Sequence, residues 1–181
     1  MSRPPFDPLR LDVRAFADAG DRLHGELALA TLQRLADSVL RTDAAPPPVN
    51  WNARGELRPV TGGRPELWLH LQAEATVTQQ CQRCLQPMAV PLAVDRWFRF
   101  AASEEEAERL DEESEDDVLV ESRRFDLPAL IEDELILALP LVPRHETCPQ
   151  PLPVPAAEDA AEAAPNPFAA LEALRRRPGG S

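Results

Sequence analysis

Leu67, Leu69, Leu71, Ala73, Ala75 and Val77 alternate with Trp68, His70, Gln72, Glu74 and Thr76. A period of two over that length predicts a long β-strand with one buried face. Val90, Leu92, Val94, Phe98 and Phe100 repeat the alternation further on, with Arg96 the one charged residue in the apolar phase. The two stretches therefore form a β-hairpin whose loop runs from Gln80 to Met88. A second pattern follows. Leu127, Leu130, Ile131, Glu134, Leu135 and Ala138 recur at i, i+3, i+4 and predict a helix reaching Leu139. Asp126 is its N-cap, Pro128 is tolerated in its first turn, and Pro140 stops it.

The remaining segments carry weaker signals. Leu9 to Leu29 alternates loosely, which predicts two short strands around the turn residues Asp18-Ala19-Gly20-Asp21. Thr31 then caps a short helix carrying Leu32, Leu35, Ala36 and Val39. Ala44 to Pro48 is a proline-rich break, Val49 to Ala53 begins a strand, and Thr61 to Pro65 is a turn. The acidic run from Ser103 to Asp117 reads as a solvated helix or mobile loop, and more sharply as an acidic surface for a basic partner. Asp117 to Glu121 is a further short strand.

These elements make an α+β domain, an antiparallel β-sheet of hairpins packed by one main helix, over residues 1–148. Residues 149–165, rich in Pro, Ala and acid, read as a disordered linker. Residues 166–177 read as a short amphipathic helix with a basic end. Asn166, Pro167, Phe168, Leu171 and Leu174 lead into Arg175, Arg176 and Arg177, a pattern that suits docking onto the domain or onto a partner.

Composition narrows the function classes. The chain has 181 residues, which accommodates one domain with tails. With 5 % aromatics and no tyrosine, the core must be built mainly from Leu, Val and Ala. A net charge of −12 argues against a protein that wraps nucleic acid by itself. Every one of the 19 basic residues is arginine, which reflects composition bias more simply than phosphate recognition. No apolar run approaches the about 20 residues that span a bilayer. The N-terminus lacks the apolar run of a signal peptide, so a soluble cytoplasmic protein is expected.

The chemistry is concentrated in the cysteines. Cys81-Gln82-Arg83-Cys84 lies in the predicted hairpin loop, and His145-Glu146-Thr147-Cys148 repeats the spacing beyond the main helix. Thiolate and imidazole are zinc's preferred ligands, and four protein ligands with no open position make a structural site. An odd cysteine count, 3, disfavours a disulfide framework. A redox pair or simple buried thiols, with His145 capping the loop, remain the competing readings of these residues. There is no Gly-x-Ser-x-Gly, His-Glu-x-x-His or glycine-rich phosphate loop, so no enzyme signature is present.

Several of these motifs, taken together, resemble the YceD family of bacterial large ribosomal RNA subunit accumulation proteins. They are Cys81-Gln82-Arg83-Cys84-Leu85-Gln86-Pro87, the stretch from Ile131 to Pro143, His145 with Cys148, and Asn166-Pro167-Phe168 with its basic end. The resemblance covers most of the chain in order. It implies a role in synthesis, processing or stability of 23S ribosomal RNA during ribosome assembly, without enzymatic activity. The expected partner is a pre-ribosomal large-subunit particle, reached through basic ribosomal proteins, with direct RNA contact left open. A metal-assisted RNA-processing enzyme using the acidic run, or a zinc-bearing adaptor unrelated to ribosomes, are the alternatives.

Overall fold

Period-two alternation organises the sheet, and a long antiparallel hairpin forms its centre. In the computed structural model, which describes residues 6–43, 45–115 and 117–150, strand β3 (Glu66–Gln80) pairs with β4 (Pro87–Ala101) along its whole length. Strand β2 (Val49–Arg58) pairs antiparallel with β3, and β1 (Arg22–Leu27) antiparallel with β2. A fifth strand, β5 (Asp117–Val120), completes the order β1-β2-β3-β4-β5.

The α+β class holds, with one departure from simple hairpins: β5 runs parallel to β4. A parallel neighbour needs a crossover, and the acidic run supplies it as helix α3 (Glu104–Glu113). Ser103 caps α3 by accepting from the Glu106 N–H, and three glutamates in the first turn suit the helix dipole. Leu110 is its buried anchor.

The apolar face of the sheet is covered by more than the one helix expected. Helix α4 (Leu127–Leu137) starts at Asp126, which accepts from the Ala129 N–H, and ends two residues earlier than the sequence pattern suggested. It contributes Leu127, Ile131 and Leu135, all fully buried. Helix α1 (Val13–Ala19) replaces the first of the two strands expected before residue 29. Asp12 caps it, Val13, Phe16 and Ala17 form its buried stripe, and Gly20 ends it in the left-handed conformation. These local signals outweighed the loose alternation. Gly55 on β2 lets α1 approach closely, since a Cβ there would lie 2.7 Å from Ala17 Cα.

Helix α2 (Gln33–Asp37) is also capped differently from expectation. Thr31 belongs to a short 3-10 turn and donates its hydroxyl to Ala28 O. The cap is instead the Glu132 carboxylate of α4, which accepts from the backbone N–H groups of Arg34 (2.7 Å) and Leu35 (3.2 Å). Arg96, the charge in the apolar phase of β4, reaches Glu134 of α4 at 3.1 Å and also pairs with Asp117.

The other sheet face is polar and carries several side-chain pairs. The Arg58 guanidinium lies over the rings of Trp68 and Trp97, and His70 stacks on Trp97 with centroids 4.4 Å apart. His70 and Gln72 both hydrogen-bond Asp95, which holds that carboxyl below its ordinary range. The sequence-based linker and C-terminal helix fall outside the described residues from residue 151 onward.

Candidate metal centre

The first ligand pair sits in the turn that joins β3 to β4. Cys81 N–H donates to Gln86 O and Leu85 N–H to Cys81 O, both at 2.9 Å, closing a tight knuckle around Cys84. Leu85 takes a left-handed φ of 61° to complete the turn. That conformation costs an L-residue about 1–2 kcal/mol; the Gln80 side chain steadies it by donating to Leu85 O at 3.1 Å. Both cysteines are buried.

The second pair arrives from beyond α4. After the helix the chain turns back toward the hairpin loop, where Gln82 N–H donates to Pro143 O at 2.9 Å. That bond delivers His145 and Cys148 to the knuckle. The ligand atoms of Cys81, Cys84, His145 and Cys148 all lie within 4.8 Å of one another. Cys84 Sγ is 3.4 Å from His145 Nδ1, and Cys81 Sγ is 4.0 Å from Cys148 Sγ. A tetrahedral zinc site places two thiolates about 3.8 Å apart and a thiolate and imidazole nitrogen about 3.6 Å apart. These two separations lie close to that geometry, and the cluster as a whole is compact enough that it could hold a metal ion.

The electrostatics prepare one thiolate in particular. Burial pushes the Cys81 thiol up, but the backbone N–H groups of His145, Arg83 and Cys84 aimed at its sulfur outweigh this and bring it down to about 5. His145 N–H and Arg83 N–H each donate to that sulfur at 3.4 Å. Cys84 moves the other way, raised by burial and by the nearby sulfurs of Cys148 and Cys81. A divalent cation bound here would displace the protons that remain on the sulfurs.

Arg83 was not singled out by its sequence position, yet it touches three of the four residues of the cluster. Its Nε donates to Cys148 Sγ at 3.0 Å, and its Nη2 to the carbonyls of His145 and Glu146, each at 3.2 Å. The signal that would have found it is its place inside the Cys-x-x-Cys loop. Among the described residues, no other group of three or more His, Cys, Asp or Glu side chains comes together in this way. The described residues of the acidic run offer no such cluster; within α3, Arg109 pairs with Glu113 at 2.7 Å. The proposed docking residues Asn166, Pro167, Phe168, Leu171, Leu174, Arg175, Arg176 and Arg177 lie outside the described residues.

Comparison with known proteins places this site in a wider context. The sequence profile described as "Large ribosomal RNA subunit accumulation protein YceD" matches residues 69–175, a stretch that contains all four ligand residues. A protein of Haemophilus influenzae (strain ATCC 51907 / DSM 11121 / KW20 / Rd) with the same description is 31 % identical over 176 residues, which cover 93 % of this chain and 97 % of the relative. No solved structure matches significantly.

Proposed function

The chain belongs to the YceD family, and from that premise we propose that it is a non-enzymatic factor supporting 23S ribosomal RNA during assembly of the large ribosomal subunit. The observation that carries this reading is the match to the Haemophilus protein along nearly its whole length, under a name that states large ribosomal RNA accumulation. The chemistry of the candidate site supports the non-enzymatic part. Four protein ligands leave a metal no open position for substrate or water, so the site would hold two chain segments together.

The metal that suits three sulfurs and an imidazole is zinc. It would be held by Cys81, Cys84, His145 and Cys148 and would clamp the β3–β4 loop to the segment after α4. The surrounding surface would then do the work. With a net charge of −12, the protein is repelled by bare RNA and attracted to basic ribosomal proteins. The segment Asn166–Arg177 is the proposed docking element, with Phe168, Leu171 and Leu174 as its apolar contacts. No helix among the described residues is long and apolar enough to cross a membrane. The proposed place of action is the cytoplasm.

Depletion from growing cells tests the role. The expected result is a fall in 23S relative to 16S ribosomal RNA, with immature large-subunit particles accumulating. Unchanged 23S levels and precursor ends would refute the proposal. Cleavage of precursor RNA by the purified protein would overturn its non-enzymatic part.

A further inference from the structure

We propose that Arg83 is a positioning residue for the metal, holding the His145–Cys148 ligand pair in place from within the opposite pair. This rests on the metal reading above and adds a residue that is not itself a ligand. The segment from Pro143 to Cys148 has no helix or strand to hold it. Gln82 N–H pins its start at Pro143. Nothing in regular secondary structure pins its end, where Cys148 sits half-buried.

The Arg83 side chain takes that role. One guanidinium reaches three acceptors on the segment: the carbonyls of His145 and Glu146, and the sulfur of Cys148. Its backbone N–H meanwhile donates to Cys81 Sγ at 3.4 Å. A single residue thus touches a ligand from each pair. Among the described residues none of its hydrogen-bond partners is a carboxylate, so the fork is not engaged in an ordinary surface ion pair. The planar fork matters: arginine presents its donors in fixed divergent directions, whereas a lysine ammonium is one compact point. Charge acts in the same direction. Three thiolates and a neutral imidazole leave a divalent ion with one negative charge in excess, which the guanidinium offsets. Groups that orient ligands in this way typically contribute 10–100-fold to metal affinity.

The experiment measures zinc affinity of the full chain by competition with a chromophoric chelator, for wild type, Arg83→Ala and Arg83→Lys. Cobalt absorption at saturating metal serves as the second readout. Arg83→Ala should bind zinc about 10–100-fold more weakly, while its cobalt complex at saturation keeps the wild-type thiolate-to-metal band. Arg83→Lys should recover only part of the loss, because it restores charge without the fork. Wild-type protein that fails to bind zinc would overturn the metal reading itself. Zinc-binding wild type with an Arg83→Ala affinity within about twofold would overturn this proposal alone. So would full recovery by Arg83→Lys, or an altered cobalt band at saturation, which would mean that the site no longer forms.

Discussion

The backbone N–H of Gln82 donates to the carbonyl of Pro143 across 2.9 Å, joining the β3–β4 loop to the segment beyond α4 without any metal. The sheet and its helices do not need the ligand cluster to pack, because their core lies elsewhere, around Phe16, Leu71, Phe98 and Ile131. Metal at the cluster would therefore act locally.

Removing a ligand should loosen one segment and leave the domain folded. Cys148→Ser is expected to abolish stoichiometric zinc binding while the circular dichroism spectrum stays that of the wild type. Hydrogen exchange should speed up at residues 81–86 and 143–148 and hardly change in β2. Global loss of protection would contradict this division.

Glu132 acts at a distance in sequence. Its carboxylate satisfies the N–H groups of Arg34 and Leu35 at the start of α2, in a helix too short to stand alone. Hydrogen bonds to a charged acceptor each contribute about 1.5–3 kcal/mol, so Glu132→Ala, which removes two of them, should cost about 3 kcal/mol or more. Arg34→Ala, which removes only its exposed ion pairs with Glu132 and Asp133, should cost clearly less. Urea denaturation of the two variants gives the comparison; equal costs would show that the ion pair, not the cap, carries the effect.

Glu134 introduces a pH dependence. Burial raises its carboxyl above the ordinary range, and the attraction of Arg96 only partly opposes this. The folded state thus keeps a proton that the unfolded chain releases. Stability contributed by protonated Glu134 is present below the unfolded value and is lost as pH rises through the raised folded value. Glu134→Gln removes the charge but keeps an acceptor for Arg96. The variant should match wild type at about pH 3.5 and exceed it at about pH 7.5 in thermal melts. A variant less stable than wild type at the higher pH would show that the ion pair outweighs burial.

Gly55 tests how α1 packs. A methyl group there would meet the Ala17 backbone at 2.7 and 2.8 Å and Phe16 Cδ1 at 2.9 Å. Backbone cannot rotate away, so Gly55→Ala should destabilise by about 1–3 kcal/mol or more. Gly25→Ala faces only the Trp51 ring, at 3.1 Å, and should cost less. Chemical denaturation that ranks the two in the opposite order would refute the close α1–β2 contact.

Local signals in the sequence were informative where a single element satisfied them. The alternation of β3 and β4 and the Asp126 cap of α4 translate directly into structure. Helix α1 was also legible, since Asp12, the Val13–Phe16–Ala17 stripe and Gly20 are start, face and stop; the looser alternation around them concealed it. Other features depend on partners far along the chain. The cap of α2 comes from Glu132, and Arg96 is accounted for only by Glu134 and Asp117. The parallel β5, with four residues, carries too short a pattern to announce its direction. The two ligand pairs were visible through their shared spacing, but their approach to within 4.8 Å depends on the chain after α4 returning to the β3–β4 loop. Arg83 had no such spacing to mark it.

A closed zinc clasp formed by Cys81, Cys84, His145 and Cys148 would carry metal through purification, which elemental analysis reads out. The protein should be purified without added metal and without a metal-chelating tag, then measured for metal content. About one zinc per chain is expected, lost when Cys84 or Cys148 is replaced by serine. Less than about a tenth of an equivalent in the wild type would contradict it.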